Sequence, residues 1–268
     1  MAVSTRRRRE QIVRMARTTG LASVEELSAA FDVTPSTIRR DLALLTEQGE
    51  VARTYGGAMA VAAPPEEPLR QRTGEAFEAK LGMARWAAAQ VRAGETVLLD
   101  AGSSVAALAH ELRERSPLTV ATTGMTVVEA LGGAEGVRVE CLGGTFRPMS
   151  GGFVGPLAEA ALERMSFDRV FLGADGVSAE DGICEAELAQ TRLKELMMAR
   201  AERVYVLAHA AKLGHRPFHA WARLPAGWTL VTDEKADPAA VAPFVARGVE
   251  VITARPNGTA AGPVSPGA

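Results

Sequence analysis

"VTPSTIRRDL", residues 33–42, sets two adjacent arginines behind small hydroxyl residues at the start of what its spacing predicts to be a helix. Thr34 is a favourable N-cap, and Pro35 fits the first helical position, where its missing N–H costs nothing. Ile38, Leu42 and Leu45 then recur at i, i+4 and i+7, so one face of the helix is core. At roughly 100° per residue, Ser36, Arg40 and Glu47 point away from that stripe, with Thr37 and Arg39 on its flanks. The outward face at the N-terminal end is therefore hydroxyl and guanidinium.

The flanking sequence builds a small unit around this helix. Upstream, a helix from Arg7 to about Arg17 carries Ile12, Val13 and Met15 and stops at Thr18-Thr19-Gly20. Ser23-Val24-Glu25-Glu26 has capping-box spacing and opens a second helix, with Leu27, Ala30 and Phe31 as its expected buried side. Phe31-Asp32-Val33 is a short turn into the quoted helix. Downstream, the alternating "EVARTYGGAMAV" (50–61) with its central Gly56-Gly57 reads as a β-hairpin. Residues 1–59 thus predict a winged helix-turn-helix. Such a helix offers its N-terminal outward side chains to base edges in the major groove of double-stranded DNA, where arginine pairs bidentately with guanine. The candidates are Thr34, Ser36, Thr37, Arg39 and Arg40, with Arg53 and Tyr55 on the wing. The competing reading is a packing module whose arginines pair with Asp41 and Glu47. Arg6 to Arg9 read either as a solvated run or as phosphate contacts.

The chain has 268 residues and a net charge of −2, which alone argues against a nucleic-acid partner. Distribution tells more: through residue 60 there are nine arginines against seven acids, leaving 21 basic and 25 acidic residues beyond. A basic head on an acidic body has the sign expected of a DNA binder. The two cysteines, Cys141 and Cys184, lie far apart, so neither a disulfide framework nor a metal site is expected. No apolar run approaches the ~20 residues of a membrane span, and a cytoplasmic setting fits.

"AVAAPPEEP" (60–68) breaks both helix and strand, and residues 60–74 read as a linker. A helix over Glu75–Arg92 follows, with Phe77, Leu81, Ala84, Ala88 and Val91 expected inward. From Glu95 the pattern alternates short apolar strands ("TVLLD", "LTVAT", "VRVECL", "RVFLG", "RVYVLA", "TLVTD", "VEVIT") with helices. That is an α/β fold with a mostly parallel sheet over residues 75–254. Ligands of open α/β sheets bind at the carboxyl ends of strands, so the loops at 100–104, 122–124, 142–144, 173–176 and 209–214 should gather on one rim. Glycine, hydroxyl, carboxylate and lysine there suit a phosphorylated polyol. Residues 255–268 are small and Pro/Gly-rich, and are expected to be disordered.

"SVEEL" (23–27), "STIRRDLALL" (36–45) and "TYGGA" (54–58) together resemble the DNA-binding head of the DeoR family of transcriptional regulators. "LLDAGSS", "VATTG", "LGGTFRP", "VGPLAEAAL", "FDRVFLGADG", "LKELM" and "AKLG" follow in the order of that family's effector domain. The resemblance spans about Arg6 to Thr253. It implies a homodimeric or homotetrameric repressor of carbohydrate catabolism, an effector domain similar to ribose-5-phosphate isomerase folds, a phosphorylated sugar effector, and no cofactor. It also implies effector-binding roles for Asp100, Gly102, Ser103, Ser104, Thr122, Thr123, Gly124, Gly143, Gly144, Arg147, Asp175, Lys194 and Lys212. The sequence departs from the family pattern at Tyr55, Thr123, Cys184-Glu185, Gln190-Thr191 and His209-Ala210-Ala211. An isomerase or deaminase carrying a DNA-binding head is the alternative; against it, Gly176 stands where such isomerases place the last carboxylate of their strand-end motif.

Overall fold

The structure, a computed structural model, describes residues 5–19, 22–47, 51–54, 57–60 and 66–261. The chain divides into two compact units, residues 1–65 with 215–219 and residues 66–214 with 220–268.

In the first unit, α1 (Thr5–Thr19), β1 (Ala22–Ser23), α2 (Val24–Phe31), α3 (Pro35–Glu47), β2 (Val51–Thr54) and β3 (Gly57–Ala60) form a three-helix unit with an antiparallel β1-β3-β2 sheet. The capping box forms: the Ser23 hydroxyl accepts from the Glu26 amide and the Glu26 carboxylate accepts from the Ser23 amide. Asp32 ends α2 in the left-handed region (φ 51°), which a short polar residue tolerates. Ile12, Val24, Leu27, Ile38, Leu42, Leu45 and Val51 make the core. Ala30, expected inward, is exposed, because the two-turn α2 turns Val24 and Leu27 into the core instead.

Asp41 is 2% exposed, and its partners come from α1: Arg8 Nε reaches Oδ2 and Arg9 Nε reaches Oδ1, each at 2.7 Å. Arg8 and Arg9 of that run thus have an internal use that neither reading of the run anticipated. Arg39 and Arg40 are exposed and make no ion pair among the described residues. Tyr55 and the Arg53 side chain lie outside the described residues.

In the second unit, α4 (Leu69–Gly74) lies inside the stretch read as a linker. Then follow α5 (Phe77–Gln90), β4 (Thr96–Leu99), α6 (Ser103–Leu112), β5 (Leu118–Thr122), α7 (Met125–Leu131), β6 (Val137–Cys141), the hairpin β7 (Thr145–Arg147) and β8 (Gly152–Val154), and α8 (Pro156–Leu162). The chain continues through β9 (Phe167–Leu172), β10 (Gly176–Ser178), β11 (Gly182–Glu185), α9 (Leu188–Ala199) and β12 (Ala201–Leu207). A 3-10 turn (Ala210–Lys212), β13 (Ala220–Ala222), β14 (Thr229–Asp233), α10 (Pro238–Ala246), β15 (Glu250–Ala254) and β16 (Ala260–Ala261) complete it. Among the described residues the main sheet has eight strands, ordered β16-β15-β14-β12-β9-β4-β5-β6, parallel except for β16.

Alternation along each strand splits the core in two, as a period-2 element must. Val97 and Leu99 of β4 and Phe171 of β9 face the layer of α5, α6 and α7, whereas Leu98, Val170 and Leu172 face that of α8, α9 and α10. Two expectations fail here. Phe77 is exposed and Leu81 only half-buried, whereas Ala84, Ala88 and Val91 are buried as expected, joined on that face by Lys80, Met83 and Ala87. Residues 255–261, expected to be disordered, are tied back through β16 and through the Arg85 guanidinium on the Pro256 carbonyl. Residues 262–268 lie outside the described residues. Among the described residues no helix is long and apolar enough to cross a membrane.

Breaking a buried ion pair from one side strands the remaining charges. Asp41→Asn is therefore expected to destabilise the N-terminal unit by about 3 kcal/mol. Amide exchange in α3 of the full chain reads this directly, and an unchanged α3 would show that the pair contributes little.

Candidate functional site

The site grows from the carboxyl end of β4. Asp100, 4% exposed, leaves that strand and accepts from the Gly173 amide through Oδ2 at 3.1 Å. The same oxygen meets Lys194 Nζ, from α9, at 2.9 Å. Lys194 also donates to the Gly173 carbonyl at 2.7 Å and pairs with Glu185 Oε1, from β11, at 2.6 Å. One ammonium is thus shared by two carboxylates. Burial disfavours its charge, but Asp100 and Glu185 overcome that and hold Lys194 well above the usual lysine range. Glu185 carries the surplus negative charge: its burial, reinforced by Asp175 and Asp100, outweighs Lys194 and pushes the carboxyl up to about 7.

Asp175, two residues past Gly173, accepts from Arg72 Nη1 at 2.8 Å, while Arg72 Nη2 donates to the Met149 carbonyl at 2.8 Å. Lys212 donates to the Ala174 carbonyl. Burial lowers the Lys212 pKa, with Arg72 and Lys194 adding to the fall and Asp175 opposing it. Lys80 donates to the Arg72 carbonyl, and burial together with Lys212 brings its pKa down to about 8. His209 is pushed down to about 4 by burial, Lys212 and Lys80, and is neutral at neutral pH.

Arg147, at the end of β7, forks onto the Glu66 carboxylate, one arm at 2.8 Å, and its Nε lies 3.0 Å from Glu187. These carboxylates hold its guanidinium even more firmly charged than usual. The Gly124–Gly152 bridge, with Met125 N donating to Gly151 O and Phe153 N to Thr123 O, ties this loop to the ends of β4 and β5. A Cβ on Gly152 would come within 2.6 Å of the Ala101 methyl, so glycine is what permits the approach.

Asp100, Asp175, Lys194 and Lys212 are therefore joined through Gly173 and Ala174, and Arg147 joins them through Glu66 and Arg72. Gly102 caps α6 at φ 118°, and the Ser103 and Ser104 hydroxyls that follow have no partner among the described residues. Thr122 faces inward: its hydroxyl donates to Leu99 O at 2.8 Å and accepts from Gly124 N at 2.9 Å. Thr123 is buried, and Gly124 packs where a Cβ would stand 3.0 Å from Ala101 Cα. Gly143 and Gly144 lead into the β7–β8 hairpin, with Gly144 (φ 119°) against the Val154 carbonyl.

Glu66, Arg72 and Lys80 were missed. Glu66 and Arg72 lie in the stretch read as a linker. A signal for Lys80 did exist: it falls at i, i+4 and i+7 with Ala84 and Ala87, a lysine set on a buried stripe.

A winged helix-turn-helix and an α/β unit whose strand ends converge on a charged rim define a class: a DNA reader paired with a ligand sensor. Residues 8–63 match the DeoR-like helix-turn-helix domain and residues 75–234 match the DeoR C terminal sensor domain. The chain is 35% identical over 80% of its length, and 81% of the relative's, to a protein of Escherichia coli O157:H7 provisionally named an aga operon transcriptional repressor. It is 31% identical to the HTH-type transcriptional regulator GlpR of Haloferax volcanii, over 91% of this chain and 96% of that one. To the glycerol-3-phosphate regulon repressor of Escherichia coli K12 it is 30% identical, over 77% and 82%. Among solved structures, ribose 5-phosphate isomerase A from Methanocaldococcus jannaschii aligns with 50% of this chain and 52% of its own, at 19% identity and a TM-score of 0.37. This chain belongs to the DeoR family.

The Glu185 shift fixes a pH dependence. A carboxyl raised from 4.5 to about 7 on folding binds more protons folded than unfolded in that window, so its contribution is full below about pH 4.5 and lost as pH rises through about 7. The stability difference between Glu185→Gln and the wild type is expected to move in the variant's favour by about 2–3 kcal/mol across that window. Denaturant unfolding of both proteins over the pH series checks this, and a flat difference would refute the shift.

Proposed function

We propose that this protein is a sequence-specific repressor of a carbohydrate catabolic operon, relieved by a phosphorylated sugar bound at the strand-end rim of its second unit. What carries the proposal is one chain holding both an exposed reading face (Ser36, Arg39 and Arg40) and a rim where Arg72, Lys80, Arg147, Lys194 and Lys212 converge with buried carboxylates. Names of relatives support it, among them a repressor of a glycerol-3-phosphate regulon.

In this reading, α3 enters the major groove. Arg39 and Arg40 read bases, Thr34, Ser36 and Thr37 contact bases or phosphates, and Arg53 and Tyr55 act from the wing. The Thr34 hydroxyl lies 2.8 Å from that of Ser36 and 3.0 Å from that of Thr37, so the three act as one polar patch. In the second unit, the first-turn amides of α6 with Gly102, Ser103 and Ser104 receive the ligand's phosphate or its hydroxyls. Asp100, Asp175, Lys194 and Lys212 address the polyol and its charge. Thr122, Thr123, Gly124, Gly143 and Gly144 shape the loops. The protein works in the cytoplasm as a homodimer or homotetramer, since paired heads on successive half-sites multiply specificity. It performs no catalysis: the carboxylates nearest Lys194 are engaged with it, and Gly176 supplies no further base. Sustained turnover of pentose or hexose phosphates would overturn that part.

Mobility shift on DNA flanking the gene, repeated with a panel of sugar phosphates, tests reader and sensor together. Arg40→Ala is expected to weaken specific binding by roughly 1–3 kcal/mol. Asp100→Asn is expected to leave DNA binding intact and abolish release by the effector; normal release from that variant would remove Asp100 from the site.

A further inference from the structure

The Arg147 guanidinium is a buried cation of the rim, with 8% of its side chain exposed. Its two terminal nitrogens are both taken by the Glu66 carboxylate. A second guanidinium, Arg72, stands 3.7 Å from the same carboxylate. Both arginines keep a buried Nε with no hydrogen-bond partner among the described residues. One fork, that of Arg147, is therefore filled by Glu66, while Arg72, bonded to Asp175 and the Met149 carbonyl, adds a second positive charge beside the same carboxylate. A phosphate monoester presents three oxygens and up to two charges to the same fork geometry.

Glu66 begins a strap, residues 66–74, that is held mainly by polar contacts. Leu69 N donates to Met149 O at 3.0 Å, Arg72 reaches Met149 O and Asp175, and no residue of α4 is buried. Those contacts fall on the 147–151 loop and on Asp175, which are parts of the rim. In sequence the strap directly follows residues 61–65, which join it to the DNA-binding unit.

We propose that Glu66 is a built-in stand-in for the effector's phosphate: it fills the Arg147 fork in the ligand-free chain, and an incoming phosphate monoester displaces it and frees the strap. This deepens the sugar-phosphate reading and rests on it. The consequence is that ligand capture and strap release are one exchange at one guanidinium. Glu187 is a different kind of partner. It is half exposed, it approaches Nε without hydrogen-bond alignment, and it carries no strap.

The test is hydrogen exchange on the full chain, wild type, Glu66→Gln and Glu187→Gln, titrated with inorganic phosphate at constant ionic strength. Wild type is expected to show faster exchange of the 66–74 amides as phosphate binds. In Glu66→Gln the strap exchanges fast without phosphate, and phosphate binds at least about tenfold tighter, as loss of a charge-assisted competitor implies. Glu187→Gln keeps its strap protected until phosphate is added. A Glu66→Gln strap as protected as wild type, or unchanged phosphate affinity, overturns the proposal, and the wild-type titration decides independently should that variant fold poorly. The sugar-phosphate panel separates the two levels. A compound that protects residues 102–106 yet leaves the strap unmoved overturns the exchange and spares the sensor reading; no protection by any compound, in any variant, overturns both.

Discussion

The interaction on which the rest depends is the buried ammonium of Lys194. An unpaired ammonium in this interior would cost several kcal/mol, so α9 can pack only if carboxylates arrive from the ends of β4 and β11. Asp100 and Glu185 supply them. The same cluster clamps Gly173 at both ends of its backbone, the amide on Asp100 and the carbonyl on Lys194. With Gly173 fixed, the following loop is fixed, and with it the Ala174 carbonyl that holds Lys212 and the Asp175 carboxylate that holds Arg72. Four chain segments distant in sequence are brought to one rim by one cation.

Charge on that rim is balanced but not relaxed. Burial raises the Glu185 carboxyl despite its contact with Lys194, and Lys80 and Lys212 sit near each other with their charged forms disfavoured. An anion added here meets cations that burial has already stripped of much of their water, where Coulomb attraction is several times stronger than in bulk. It would also relieve the repulsion between Lys80 and Lys212. A neutral sugar could satisfy the carboxylates but would leave that repulsion in place. The electrostatics thus favour a ligand with both a polyol and an anionic end.

How much of this was legible in the sequence follows from which physics each residue obeys. The quoted helix was readable because a single period, Ile38, Leu42 and Leu45, decides its phase, and a local cap decides its start. The strands were readable from their short apolar runs, and their order along the chain placed Asp100, Asp175 and Lys212 in strand-end loops; Lys194, inside α9, came from the family resemblance alone. What sequence could not show was pairing between distant segments: Arg8 and Arg9 on Asp41, or Glu66 on Arg147. In α5, alanine and glycine make two faces nearly equal, so Ala84, Ala88 and Val91 were placed inward correctly while Phe77 was not, and Lys80 on the buried side was passed over. Proline in "AVAAPPEEP" reads as a break, but composition cannot reveal that Glu66 beside it pairs with Arg147.

Coupling between two sites is limited by the contacts that differ between states. The whole second unit need not move for a ligand at the rim to be felt at the head; what is needed is one contact that the ligand and the connecting segment cannot both make. A bidentate carboxylate on a buried guanidinium is such a contact. Exchanging a charge-assisted bond of this kind is worth about 1.5–3 kcal/mol, which falls in the range of about 1–3 kcal/mol typical of allosteric coupling. That corresponds to roughly 5- to 150-fold in DNA affinity, ample for a regulator that has only to be released. On the proposed exchange, the arginines of "VTPSTIRRDL" and Arg147 are two forks of one device, and occupancy of one by DNA disfavours occupancy of the other by the effector.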